Sequence, residues 1–244
     1  KNYFCVSTDK AANPVNIMGA SKKLMELFLI RESKDIRISM ARFANVAFSD
    51  GSLLHGFKQR LANMQPISAP IDVQRYFITP KESGELCLLS GLFGKNRDIF
   101  FPKLQEEIHL TKFSDIAERF LLFAGYKPFL CSSEEEARKK TKDLIPKKEW
   151  PCYFFESDTA GEKLFEEFFT DKEELDIDSY KSIGIVRNND SFCENALNDF
   201  LNDVNSLNNK KIWSSSELYK IFYKILPEFK NDHIKSKKNL DQKM

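Results

Sequence analysis

Residues 7–22 read Ser-Thr-Asp-Lys-Ala-Ala-Asn-Pro-Val-Asn-Ile-Met-Gly-Ala-Ser-Lys, and they hold the densest chemistry in the chain. Thr8, Asp9 and Lys10 set a hydroxyl, a carboxylate and an ammonium next to one another. A hydroxyl can polarise a substrate oxygen, a carboxylic acid can give a proton, and an amine of lowered pKa can take one. Lys22 follows Met18 by four positions, which puts both on one face if the segment is helical. The set amounts to proton-transfer groups beside a lysine suited to holding a cofactor.

The flanking elements must present these groups together. Tyr3–Ser7 reads as a buried strand whose C-terminal end delivers Thr8, Asp9 and Lys10. Adjacent strand residues point to opposite faces, so the three can serve one substrate only where the strand ends and the backbone turns. Asn13-Pro14 has the chemistry of an N-cap and first turn, predicting a helix to about Arg31 with Ile17, Leu24, Leu27 and Phe28 toward the core. A second strand is expected from Ile36 to Ala41, followed by a loop Arg42-Phe43-Ala44-Asn45-Val46. A helix from about Ser52 to Met64, an extended Arg75–Thr79, a helix opened by Pro80 to about Leu92, and a strand at Ile99–Phe101 follow. This alternation argues an α/β sheet with crossover helices.

After about Pro102 the texture changes. Ser114 should cap a helix that Gly125 stops. Capping-box spacing recurs at Ser133/Glu136, Thr170/Glu173, Ser191/Glu194 and Ser214/Glu217. Glu134–Glu136 ahead of Arg138–Lys140 complements a helix dipole. Trp150–Glu156 reads as a strand at a sheet's edge, and the Lys-rich stretch from Asn231 as disordered. The division expected is 1–101, 102–230 as an α/β or helical extension, and 231–244 as a tail.

The totals exclude several classes. In 244 residues the formal net charge is +1, so no global pull toward nucleic acid arises. Five scattered cysteines and three isolated histidines predict reduced thiols and no protein-built metal site. No apolar run approaches the ~18 residues of a membrane span, which predicts no stable membrane insertion and a cytoplasmic protein.

A strand end carrying Thr-Asp-Lys, then Met18-Gly-Ala-Ser-Lys22, resembles the active site of a short-chain dehydrogenase, with Met in place of the usual Tyr of Tyr-x-x-x-Lys. Taken with Ser7–Pro14, it closely resembles the CapD-like nucleotide-sugar 4,6-dehydratases of surface-polysaccharide biosynthesis, extended short-chain dehydrogenases that act on UDP-N-acetylglucosamine and include Tyr and Met forms. The resemblance covers residues 1 to about 101. It implies the C-terminal portion of a Rossmann-like fold, plus a mainly helical extension, and NADP or NAD as cofactor. It also implies a UDP-sugar substrate and, for the full-length form, a homo-oligomer. Arg42–Val46 looks like the loop that approaches the nicotinamide, with Phe43 near the cofactor and Asn45 on the sugar nucleotide. Arg75 resembles the arginine that holds the diphosphate, a contact suited to a planar guanidinium. Ser52, at a helix start, could add a backbone donor to the same anion. No Gly-x-x-Gly-x-x-Gly occurs in the chain, so the βαβ unit that cradles the cofactor pyrophosphate is expected to precede Lys1.

The implied chemistry moves hydride from the sugar C4 to the cofactor and later back to C6. In between, Lys10 takes the C5 proton and Asp9 protonates the departing C6 hydroxyl, which requires a raised pKa or a shared proton. Thr8 would bond the C4 oxygen and Lys22 the nicotinamide ribose. A thioether can neither accept nor donate the C4 hydroxyl proton, so Met18 shifts that task toward Asp9. Plainer readings stand beside these: Met18 as core, Lys22 as a solvated lysine, Arg75 in a surface ion pair, Asn45 in a turn, His55 as a structural helix residue, and Asp158 and Glu162 at a helix N-terminus. The competing functions are a nucleotide-sugar epimerase and a catalytically silent nucleotide-sugar or partner-binding module.

Overall fold

The computed structural model describes residues 1–103, 110–157, 166–188 and 193–229. They form two compact units that interleave in sequence. The first takes residues 1–44, 81–103 and the described residues from 166 to 229; the second takes 45–80 and 110–157.

The first unit is built on a five-stranded sheet. Strands β1 (Asn2–Thr8), β2 (Arg37–Phe43) and β6 (Asp98–Pro102) run parallel, and β11 (Ile183–Arg187) and β10 (Glu174–Asp176) continue the sheet antiparallel. Helix α1 (Ile17–Glu32) connects β1 to β2, and α3 (Pro80–Phe93) leads into β6. Parallel neighbours need such crossovers, and this is the α/β alternation the sequence predicts. Ala41, Leu86, Phe100 and Ile185 form one buried cluster. Ala20 and Leu24 of α1 pack in another with Phe222 and Phe229, joined by Phe200. These last come from α6 (Glu194–Asn208), α7 (Ser215–Ile225) and the residues just after it.

The second unit holds two small sheets. Strand β3 (Asn45–Val46) lies parallel to β5 (Gln74–Ile78), which pairs antiparallel with β7 (Leu110–Lys112). Strand β9 (Glu149–Phe155) lies between β4 (Ile67–Pro70) and β8 (Lys127–Leu130), all parallel. Helices α2 (Leu53–Ala62), α4 (Phe113–Phe123) and α5 (Glu134–Leu144) complete it, around Leu54, Phe57, Leu121 and Trp150.

Several local expectations are corrected. The N-cap of α1 is Asn16, whose Oδ1 accepts from the Gly19 amide at 2.9 Å, not Asn13. Arg42 and Phe43 belong to β2 rather than to a loop, and Asn45 and Val46 form β3. Lys112 rather than Ser114 precedes α4, and Ser114 is buried within that helix. Gly125, at φ 82°, follows α4 as predicted. At α5 only half of a box forms: Ser133 Oγ accepts from the Glu136 amide, while the Glu136 carboxylate takes the Ser132 amide and hydroxyl. Thr170/Glu173 starts no helix. Ser214/Glu217 is a complete capping box. Strand β9 is central in its sheet rather than at an edge. Ser191, Asp158, Glu162 and residues 231–244 lie outside the described residues. Among the described residues, no helix is long and apolar enough to cross a membrane.

Candidate active site

Strand β1 ends in a single 3-10 turn, Asp9–Ala11, with Thr8 as its N-cap. The tight turn resolves the problem of alternating faces. Thr8 Oγ1 donates to Asp9 Oδ1 at 2.7 Å, and Lys10 Nζ reaches the same oxygen at 3.2 Å. Thr8 Oγ1 also accepts from the Lys10 amide at 3.4 Å. Asp9 is 4% exposed, whereas the Lys10 side chain is 39% exposed. One carboxylate thus sits buried beneath a hydroxyl and a solvent-facing ammonium, all within hydrogen-bond reach.

Helix α1 begins directly against this turn. A Cβ added at Gly19 would lie 2.6 Å from the Lys10 carbonyl oxygen and 3.3 Å from Pro14, so glycine is what lets the helix approach. Met18 stands beside that contact and is 47% exposed, which sets aside the reading of it as a core residue. Lys22, one turn on, lies near β1: burial pushes the Cys5 thiol up, and the positive charge of Lys22 partly offsets that rise. Phe43 is the register partner of Thr8 across β1 and β2, and its ring is partly buried against the Ala41, Leu86 and Phe100 cluster.

Gly19→Ala should therefore destabilise, although alanine is the better helix former by about 1 kcal/mol. Overpacking against an unyielding backbone carbonyl costs about 1–3 kcal/mol, and the overlap falls on the turn itself. Chemical denaturation is expected to show a net loss, with faster amide exchange at Lys10–Ala12. A stabilised variant would show that the helix does not press on the turn.

The other predicted residues lie in the second unit. Asn45 Nδ2 donates to the Tyr76 carbonyl at 3.1 Å, tying β3 to β5 beside Arg75. Arg75 is half-buried, with Nη1 donating to the Gln74 carbonyl at 2.7 Å. Ser52 is the N-cap of α2, its Oγ accepting from the His55 amide at 3.2 Å.

Sequence reasoning missed the layer behind the turn. Ser7 and Arg42 are register partners and so share a face of the sheet. There Ser7 Oγ donates to Glu26 Oε1 at 2.6 Å, and Arg42 binds both Glu26 oxygens, at 2.9 and 2.8 Å. Arg42 and Glu26 are completely buried. Burial acts to raise the Glu26 carboxyl, but the charge and hydrogen bonds of Arg42 outweigh it and hold it below the usual carboxylate range. Burial likewise opposes the charge on Arg42, and Glu26 and Glu173 raise its pKa well above the usual value. Two signals were available: Glu26 stands one turn past Lys22, and Arg42 extends a run of buried strand residues.

A nicotinamide cofactor is what the Thr-Asp-Lys and Met18-x-x-x-Lys22 resemblance implies. The turn and the start of α1 offer a hydroxyl, a buried carboxylate and two lysines, polar groups that could meet the hydroxyls of a ribose or a sugar. No glycine-rich pyrophosphate cradle occurs in these 244 residues.

The solved structure of Pen from Bacillus thuringiensis superposes with a TM-score of 0.57 at 18% identity, over 83% of this chain and 62% of that one, which supports the fold alone. The probable polysaccharide biosynthesis protein EpsC of Bacillus subtilis is 29% identical over 156 residues, 61% of this chain and 26% of EpsC. An inverting UDP-N-acetylglucosamine 4,6-dehydratase of Campylobacter jejuni is 32% identical over 111 residues, 43% of this chain and 33% of that protein. UDP-glucose 4-epimerases from Rickettsia species are 31–32% identical over 104 residues, 40% of this chain and 30% of each relative. The chain thus spans about a quarter to a third of the length of these first two relatives. The family model described as polysaccharide biosynthesis protein matches residues 1–188, a range that begins at β1, holds the Thr-Asp-Lys turn and α1, and runs past the last strand of the five-stranded sheet. With its parallel α/β sheet and a family match over most of its length, this chain belongs to the polysaccharide biosynthesis protein family.

Proposed function

We propose that the chain carries the proton-transfer centre of a nucleotide-sugar 4,6-dehydratase acting on UDP-N-acetylglucosamine, with NAD or NADP as cofactor. The observation that supports this most is the turn at Asp9–Ala11, which holds a hydroxyl, a buried carboxylate and an ammonium within hydrogen-bond distance of one another. A bound nicotinamide would supply reversible oxidation at the sugar C4 and reduction at C6. Thr8 Oγ1 already donates to Asp9, so its lone pair is free to accept the C4 hydroxyl proton while its own proton passes to Asp9. That relay replaces the tyrosine that Met18 displaces, and it loads Asp9 with the proton that the leaving C6 oxygen needs. Lys10, whose side chain faces solvent, takes the C5 proton once it is deprotonated. Lys22 would hold the ribose. In the second unit we assign Arg75 to the diphosphate, and Asn45 and Ser52 to the sugar nucleotide.

An epimerase needs the C4 ketone but neither an acid for C6 nor a base for C5, so the Asp9–Lys10 pair favours elimination. The test is product analysis with UDP-N-acetylglucosamine and either dinucleotide. The chain is assayed alone and complemented with the cofactor-cradling βαβ unit of an extended short-chain dehydrogenase. A 4-keto-6-deoxy sugar on complementation supports the dehydratase, a C4 epimer supports the alternative, and nucleotide binding without product supports a silent module. Within an active assembly, Asp9→Asn should lower single-turnover hydride transfer by a factor on the order of 10²–10⁴. Normal hydride transfer in that variant would remove Asp9 from the C4 step.

A further inference from the structure

Arg42 is bound on all sides. A guanidinium has five N–H donors in a rigid fork, and here each has an acceptor. Nε and one Nη2 hydrogen go to Glu26; the other Nη2 hydrogen goes to Glu173 Oε1 at 2.8 Å. Nη1 donates to the Phe168 carbonyl at 2.7 Å and to Glu173 Oε2 at 3.1 Å. The acceptors come from two distant places: α1, one turn beyond Lys22, and the segment around residues 168–173, about 130 positions further along the chain.

That segment holds the proton-transfer turn from both flanks. On the near flank, Ser7, immediately before Thr8, is tied through Glu26 and Arg42 to Glu173. On the far flank, Asn13 Nδ2 donates to Glu167 Oε2 at 2.9 Å, two residues after the turn ends. The segment is itself anchored, because the buried Phe168 ring stacks on Phe101 of β6 at 6.1 Å and 15°. Glu173 is also set by its own loop, its Oε2 accepting from the Thr170 amide at 2.7 Å.

We propose that Arg42 and Glu173 are positioning residues for the Thr8–Asp9–Lys10 turn, fixing the end of β1 and the start of α1 relative to one another through Ser7, Glu26 and the 167–173 segment. Neither touches substrate; they act through the residues they hold. The fork also explains why the site draws on sequence so far from its motif. Residues 12–16 tether the strand end to the helix start without fixing their relative orientation, and a rigid ionic fork can fix it. Lysine at position 42, with three donors on a flexible stem, could not span both carboxylates and the carbonyl.

The kinetic arm of the test rests on the dehydratase reading; the structural arm does not. Glu173→Gln keeps the size and one acceptor but removes the charge, and Ser7→Ala removes only a hydroxyl and serves should the first variant fold poorly. Amide exchange at Asp9–Ala12 is expected to quicken about tenfold in both. The exposed Lys172→Ala, which breaks the neighbouring surface pair with Glu228, should leave those amides unchanged. In an active assembly kcat should fall about tenfold with KM unchanged, since ground-state binding is not what the fork controls. Glu173→Asp, which retains the charge, should recover part of the loss. Loosening confined to residues 167–173, with Asp9–Ala12 as protected as in the wild type, would overturn the proposal. An equal loss in kcat and rise in KM would do the same. An inactive wild-type assembly would count against the dehydratase reading alone, because the exchange result is read independently of turnover.

Discussion

Arg42→Met should destabilise the protein by about 3–5 kcal/mol at neutral pH, the range seen when one partner of a buried ion pair is removed. The side chain is fully buried, and the substitution preserves its bulk, so the loss comes from charge rather than from a cavity. Glu26 and Glu173 would be left facing each other without a cation, with Lys23 the nearest remaining positive charge to Glu26 at 4.0 Å. The pH dependence separates this cause from others. In the native protein the Glu26 pKa is lowered, so its contribution is present above the ordinary carboxylate pKa of about 4.3 and is lost as pH falls through the lowered value. In the variant, burial without Arg42 raises that pKa instead, and the carboxyl is neutralised at milder acidity. The gap between wild type and variant should therefore narrow as pH falls from 7 toward 4. Urea denaturation across that range checks it, and a gap independent of pH would attribute the loss to packing. The double replacement Glu26→Met, Arg42→Met should be less harmful than Arg42→Met alone, because it leaves one buried carboxylate, Glu173, without its cation rather than two.

In the second unit the largest loss is expected for Trp150→Ala, about 3–5 kcal/mol. The indole is 1% exposed, at the centre of the β4-β9-β8 sheet, and meets Tyr126 edge-on at 4.8 Å and 74°. Its Nε1 donates to the Gln65 carbonyl at 3.0 Å, tying β9 to the approach to β4, two residues before that strand begins. Truncation removes the ring contacts and strips that carbonyl of its donor. Trp150→Phe keeps most of the volume and should cost about 1–3 kcal/mol, the part due to the lost hydrogen bond. Circular dichroism is the appropriate probe, since the substitution removes one of two tryptophans and the other, Trp213, is half exposed. Equal losses in the two variants would mean that the hydrogen bond, not the packing, holds the strand.

The Thr8–Lys10 turn and the ionic layer behind it differ in how far local pattern reveals them. The turn at Thr8–Lys10 and the helix carrying Met18 and Lys22 follow from local pattern: an apolar strand run, polar residues where it must end, and a helical period thereafter. Even there a local rule misplaced a boundary, because Asn13-Pro14 satisfies N-cap chemistry as well as Asn16 does, yet Asn16 takes the Gly19 amide while the Asn13 side chain bonds the distant Glu167. Arg42 shows the opposite case. An arginine at the end of a strand reads as the start of a loop, because a buried charge is costly unless it is paired. Its partners lie in α1 and beyond residue 167. Thr170/Glu173 shows the same limit from the other side: the carboxylate does accept the Thr170 amide as a capping box would, yet Arg42 recruits it and no helix follows.

The sequence by itself determined the kind of chemistry available and the elements that carry it, because residue type, strand periodicity and helix capping act over a few positions. Tertiary structure alone decided which charges are buried and how distant segments meet. It placed β10 and β11 in the same sheet as β1 and brought Glu173 to Arg42. It also drew each of the two units from both early and late parts of the chain. The physical reason is that a buried ion pair or a shared sheet depends on desolvation and proximity in space, and neither quantity exists until the chain has folded.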